Sequence, residues 1–252
     1  MTEQAVQSLA QLQNSFHLKP THTDLIKSVM GDSSDVIGFI RKGQQYITIE
    51  AMDQEEANNQ EKILELDASY RELMDLESRV RNQNTTFTTL ATRINNGEIL
   101  KNLMTPYEEI QTQLQAKCTT EEEKYLTNEK YIDFRQNIWN INHPDELMPS
   151  LVENDDDDIV MGSTKISLKC PLTTTWLEDP VTSTVCKHSF SKAAILDLMR
   201  QSGGSVVCPV SGCNKGIVPT YLINDEIMAE RVTRVKARDE KNASSTQFFD
   251  VE

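Results

Sequence analysis

No run of eighteen apolar residues occurs in this 252-residue sequence, so it offers no candidate for a membrane-spanning helix. An apolar N-terminal segment of the kind that directs secretion is also missing. There are only five cysteines, and their pattern reads as metal ligation rather than disulfide pairing, which leads us to expect a reducing compartment. Aromatic residues make up only 6% of the chain, which predicts a thin core wherever long helices must bury each other. Glycine and proline are absent between Glu50 and Asn82, where strong helix formers dominate. A basic cluster suited to nuclear import is not evident.

Charge is divided unevenly. Residues 1–158 carry 14 Lys and Arg against 29 Asp and Glu, whereas residues 159–252 carry 11 against 10. An acidic N-terminal portion argues against a DNA-binding surface, because phosphate backbones demand cationic contacts. The C-terminal portion has a local basic stretch (Arg231, Arg234, Lys236, Arg238, Lys241) that reads as the solvated face of a last helix.

The first 150 residues read as a helical arm. Ile63, Leu66, Tyr70, Leu73 and Val80 follow spacings of three, four, three and seven, a coiled-coil-like seam interrupted by Glu77. A second helical stretch is expected from Pro106, with Thr105 as its cap, to Asn142, with a break near Thr119 and Thr120. Shorter helices are expected over Glu3 to Leu18 and Thr23 to Ile40, punctuated by Pro20 and Gly31. A helix pair with few bulky residues rarely buries enough surface alone. The seam therefore reads as a docking surface completed by a partner, with an internal helical hairpin as the other option.

His143-Pro144 and Met148-Pro149 end the last helix of the arm. An acidic linker over residues 151–163 follows, with Asp155 to Asp158 running into Ile159 and Val160. That short apolar patch beside acids could add as an edge strand to a ubiquitin-like protein, or begin the next domain. A zinc domain is expected over residues 164–240 and a tail over 241–252, where Phe248, Phe249 and Val251 form a second candidate strand for the same purpose.

Cys186, His188, Cys208 and Cys213 read Cys-x-His, nineteen residues, then Cys-x4-Cys. Three thiolates and an imidazole complete a tetrahedral set for one structural zinc ion, with no position left for a catalytic water. A cross-brace RING domain requires eight ligands. The remaining Cys118, Cys170, His17, His22 and His143 cannot supply them, and only Cys170 falls within the same segment. The segment reads as half a RING in which packing replaces the second metal.

The run from Ile166 through Cys170-Pro171-Leu172-Thr173, Asp179-Pro180-Val181, Cys186-Lys187-His188-Ser189-Phe190 and Cys208-Pro209-Val210-Ser211-Gly212-Cys213 resembles the SP-RING module of SUMO ligases. With a long helical first half, the chain is similar to the SUMO-ligase subunits of SMC five–six chromosome-maintenance complexes. The fold class this implies is a helical, coiled-coil-like arm followed by a small α+β single-zinc module. The resemblance implies that Leu172, Pro209 and Val210 grip the SUMO-conjugating enzyme. It implies as partners that enzyme, SUMO, an SMC coiled coil bound by the arm, and substrate proteins. It implies a nuclear role in DNA repair, with no sequence-specific nucleic-acid contact and no nucleophile from this chain, only orientation of the charged enzyme. A RING ubiquitin ligase and a zinc-capped scaffold without activity remain the alternatives.

Overall fold

The computed structural model describes residues 17–116, 120–144, 146, 148–152 and 167–246. The chain divides into two compact units near residue 160.

The first unit is built on a helical hairpin. Helix α1 spans Thr23–Glu56 and α2 spans Gln60–Asn95. The turn between them uses Asn58 in the left-handed region at φ 56°, after which the Asn59 side chain caps α2 by accepting from the Lys62 N–H at 3.4 Å. The Gly- and Pro-free stretch expected from Glu50 to Asn82 is thus broken at its start by two asparagines. Gly31, expected as punctuation, lies inside α1 instead. The two helices run antiparallel: Met30 meets Thr88, Arg41 meets Glu77, and a Cβ on Gly43 would fall 3.1 Å from Leu73 Cδ1. Gly43 therefore permits close approach of the helices at that point.

Two shorter helices cover the hairpin. Helix α3, Met104–Gln115, packs Tyr107 and Ile110 on a cluster of Leu90, Ile94 and Leu100. A π-helical turn at Glu122–Leu126 precedes α4, Glu129–Asn142, which is capped by Asn128. Tyr131, Phe134 and Ile138 on α4 pack with Ala51, Ile63, Tyr70 and Met74, and Leu66 packs against this cluster. Tyr70 and Phe134 stack at 4.1 Å between ring centroids, an arrangement that adds to the area they bury.

This corrects the reading of the seam. Ile63 and Tyr70 are buried and Leu66 is half-buried within the chain's own core, so this stripe is closed by α4 and α1. Leu73 and Val80 are half-buried as well. Four of the aromatics, Tyr70, Tyr125, Tyr131 and Phe134, gather in this one cluster.

The second unit opens on a turn around Cys170, pinned by the Thr174 N–H to the Cys170 carbonyl at 2.8 Å. Strands β1 (Pro180–Ser183) and β2 (Ser189–Ser191) form a hairpin, followed by α5 (Lys192–Gln201). Gly203 and Gly204, at φ 78° and 100°, release the chain from that helix. Strands β3 (Val206–Val207) and β4 (Gly216–Ile217) form a second hairpin. Strand β5 (Leu222–Asn224) returns to pair with β1, giving the sheet order β2-β1-β5, before α6 (Glu226–Thr246). Asp225 starts α6: its carboxylate accepts from the Met228 N–H at 2.9 Å and from the Thr182 hydroxyl at 2.7 Å.

Candidate metal centre and docking surfaces

Each hairpin delivers two ligands. In the β1–β2 loop, Lys187 takes φ 60°, and its N–H bonds the Ser183 carbonyl at 2.9 Å. That turn sets Cys186 and His188 on either side of Lys187. In the β3–β4 loop, the Cys208 N–H reaches the Lys215 carbonyl at 2.8 Å and the Cys213 N–H reaches the Val210 carbonyl at 3.0 Å. Gly212, at φ 83°, allows that loop to close. Beneath the hairpins, Phe190, Ile195, Met199 and Ile217 are almost wholly buried together with Val181 and Cys208.

The four ligand atoms of Cys186, His188, Cys208 and Cys213 lie within 4.8 Å of one another, with Cys208 Sγ 3.3 Å from His188 Nδ1. A tetrahedron with metal–sulfur bonds of ~2.3 Å has edges of about 3.8 Å, so the cluster has the dimensions of a zinc site. The donor chemistry agrees. Burial and the neighbouring Cys213 and Cys186 thiols push the Cys208 thiol up to about 12. Burial also opposes ionisation of Cys186, yet the Ser183 hydroxyl and His188 bring it down to about 7. Thiolates packed this closely need a cation to share.

Among the described residues, the other half of the module has no such set. Cys170 lies at 1% exposure among Leu177, Met228 and Val232. Its sulfur accepts the Ser191 N–H at 3.4 Å. Burial works against its ionisation, but bonds from Ser191, Leu172 and Thr173 bring the thiol down to about 7. Hydrogen bonds and apolar packing hold this half together. Ser191 also accepts from the Glu178 N–H at 3.1 Å, a buried hydroxyl role that the sequence pattern did not reveal.

Of the residues expected to grip a conjugating enzyme, Pro209 is exposed, and Leu172 and Val210 are half-buried. Leu172 and Val210 pack on the cluster that braces the ligand loops, and Leu172 also touches the Cys170 cluster. Ile159, Val160, Phe248, Phe249 and Val251 lie outside the described residues. The helical unit has an apolar surface that the sequence reading missed. Leu25, Val29, Val36, Phe39 and Tyr46 are all exposed on α1, with Phe39 at 75% and Leu25 at 72%. At 100° per residue these five fall within one arc of about 100° beside the buried face. The signal was the seven-residue spacing of Phe39 to Tyr46 and Val29 to Val36.

Residues 157–214 match the family described as the zinc-finger of the MIZ type in Nse subunit. Over 221 residues, 85% of this chain and 86% of the relative, the sequence is 28% identical to the E3 SUMO-protein ligase MMS21 of Arabidopsis thaliana. It is 29% identical over 205 residues, 72% of this chain and 77% of the relative, to the E3 SUMO-protein ligase nse2 of Schizosaccharomyces pombe. A 78-residue stretch, 30% of this chain and 10% of the relative, is 42% identical to the E3 SUMO-protein ligase pli1 of the same yeast. The pli1 match is thus confined to a module-length segment, whereas those to MMS21 and nse2 extend through most of both chains. In its MIZ-type, SP-RING zinc finger and along most of its length, this chain is like the MMS21 and nse2 SUMO ligases.

Proposed function

We propose that the protein is a SUMO ligase that acts by holding a SUMO-charged conjugating enzyme against its zinc-braced module. One observation carries this: Leu172 and Val210, from separate loops, pack half-buried on the same core that braces the four metal ligands. An apolar surface fixed in that way, with exposed Pro209 beside Val210, is a rigid platform for a partner loop. Cys186, His188, Cys208 and Cys213 would hold one zinc ion, which supplies the cross-link that a small core lacks. Conjugation then needs no nucleophile from this chain. The thioester stays on the conjugating enzyme, the amine comes from a substrate lysine, and the gain is orientation.

The helical unit docks, in this reading, on the coiled coil of an SMC subunit through the open α1 stripe of Leu25, Val29, Val36, Phe39 and Tyr46. Its acidic surroundings suit a protein partner rather than DNA. Docking would raise the local concentration of the module near chromosomal substrates, with a nuclear role in repair. The deciding experiment offers SUMO and ubiquitin separately, each with its own conjugating enzyme, to the zinc-loaded full chain. Faster substrate modification with SUMO alone supports the reading. Transfer of ubiquitin instead, or no acceleration at all, overturns it. Recovery of an SMC coiled coil by the wild-type chain, but not by Phe39→Glu, tests the docking.

A further inference from the structure

The helical unit contains a charged hub with more cations than its own carboxylate requires. Glu77, whose side chain is 5% exposed, accepts from Arg41 Nε at 3.3 Å, from Arg81 Nε at 3.0 Å and Nη2 at 2.7 Å, and from Lys130 Nζ at 2.7 and 2.8 Å. Helices α1, α2 and α4 each contribute one cation. Among the described residues, Glu77 is the one acid to which all three are bonded. Arg81 and Lys130 share one opening with Glu77, and two cations against one carboxylate leave one positive charge there, inside the acidic part of the chain. Side-chain exposures of 51%, 50% and 43% for Arg41, Arg81 and Lys130 leave their remaining N–H groups within reach of a ligand.

A cavity of about 240 Å³ opens beside the hub, lined by Met74, Glu77, Ser78, Arg81, Asn128 and Lys130. Arg81 retains Nη1, and Ser78 is exposed. The Asn128 Oδ1 is committed to the Lys130 N–H at 3.0 Å, which turns its amide nitrogen into the available polar atom. A guanidinium, an ammonium, a hydroxyl and an amide around one opening are donors, and Glu77 is the single carboxylate among the lining residues. Although burial opposes ionisation, Lys130, Arg81 and Arg41 hold Glu77 down to about 2.

We propose that this cavity binds a phosphoryl group, carried either by a phosphorylated serine or threonine side chain of a docked protein or by free phosphate. Guanidinium and ammonium donors give a phosphoryl group charge-assisted bonds of the stronger class. Glu77 orients the cations beforehand, so that little side-chain freedom is lost on binding. The inference concerns binding by the helical unit and does not rest on ligase activity.

The test uses the zinc-loaded full chain at fixed ionic strength set with sodium chloride. Three probes are titrated calorimetrically: inorganic phosphate, N-acetyl-O-phosphoserine methylamide and its unphosphorylated counterpart. Binding of the phosphorylated probes, absent for the unphosphorylated one, is expected. Tighter binding of the phosphoserine compound identifies a side chain as the source, and tighter inorganic phosphate identifies the free ion. Ser78→Glu places a carboxylate at the mouth of the cavity, and Arg81→Gln removes a cation while keeping a donor for Glu77. Each should weaken binding by about tenfold or more. Amide resonances of residues 78, 81, 128 and 130 in the wild-type chain should shift on titration, a readout that stands even if a variant folds poorly. Phosphate binding no stronger than chloride, shifts confined to other residues, or affinity unchanged in folded Ser78→Glu overturns the proposal.

Discussion

Leu172→Ala distinguishes a gripping residue from a core residue, and the structure sets the sizes to compare. A fully buried Leu→Ala change costs about 2–5 kcal/mol. Leu172 is half-buried, in contact with two clusters, so it has about half of that area to lose. We expect a cost of about 1–2 kcal/mol, where each 1 kcal/mol lowers the melting point of a module this size by about 4–8 °C. Ile195→Val provides the control. Ile195 is wholly buried in the cluster on which Leu172 packs and presents no surface of its own to a partner, and losing one methyl group there costs about 0.5–1.5 kcal/mol. The two variants thus overlap in stability but differ in surface. The assay is single-turnover discharge of SUMO from the charged conjugating enzyme, well below both melting points, with zinc content checked. Leu172→Ala should slow discharge by about tenfold or more, equivalent to ~1.4 kcal/mol of lost binding or orientation. Ile195→Val should stay near the parent. Equal slowing in both would show that transfer merely follows stability, and the grip assigned to Leu172 would be wrong.

Other outcomes follow from the same geometry. Cys208→Ser, or a chelator, should unfold residues 167–246 while most helical circular dichroism from the first unit survives, and elemental analysis of the parent should give one zinc per chain. Leu25→Glu with Phe39→Glu should abolish recovery of an SMC coiled coil without changing the melting of the helical unit, because these side chains are exposed. Leu66→Glu, by contrast, should lower that melting transition, since Leu66 packs on the internal aromatic core. Acid should weaken the first unit through Glu77. Its carboxylate is held at about 2 against an ordinary 4.5, so the stabilisation is complete above pH 4.5 and is lost as the pH falls from there toward 2. Its size is about 1–3 kcal/mol after allowance for half-exposed cations, and urea titrations of Glu77→Gln should show a flatter acid limb than the parent.

The metal set was legible because its chemistry is categorical. Three cysteines and a histidine at chelating spacings have few other uses, and the structure brings the same four atoms together. Serines were opaque. Nothing in the spacing around Ser183 and Ser191 marks them as core, yet they are buried and their hydroxyls accept the Val185 and Glu178 N–H groups. Glu77 was read as an interruption of an apolar seam. A carboxylate at a core-facing position becomes intelligible only with Arg41, Arg81 and Lys130 around it, and those come from three helices.

The seam itself shows where periodicity stops being informative. Two apolar stripes run along the hairpin, one through Ile63 and Tyr70 on α2 and one through Leu25, Phe39 and Tyr46 on α1. Each fits a helix that wants a partner, and spacing alone does not rank them. What decides is whether the chain elsewhere holds a complement of the right shape. Tyr131 and Phe134, three residues apart on α4, put two rings on one face, and Tyr70 stacks on the second while its hydroxyl donates to the Lys130 carbonyl at 3.0 Å. Four rings, Tyr70, Tyr125, Tyr131 and Phe134, gather on the α2 stripe, whereas Phe39 and Tyr46 on the outer flank of α1 stay exposed. The chain closes one stripe with its own rings, and the other stays exposed along the helix.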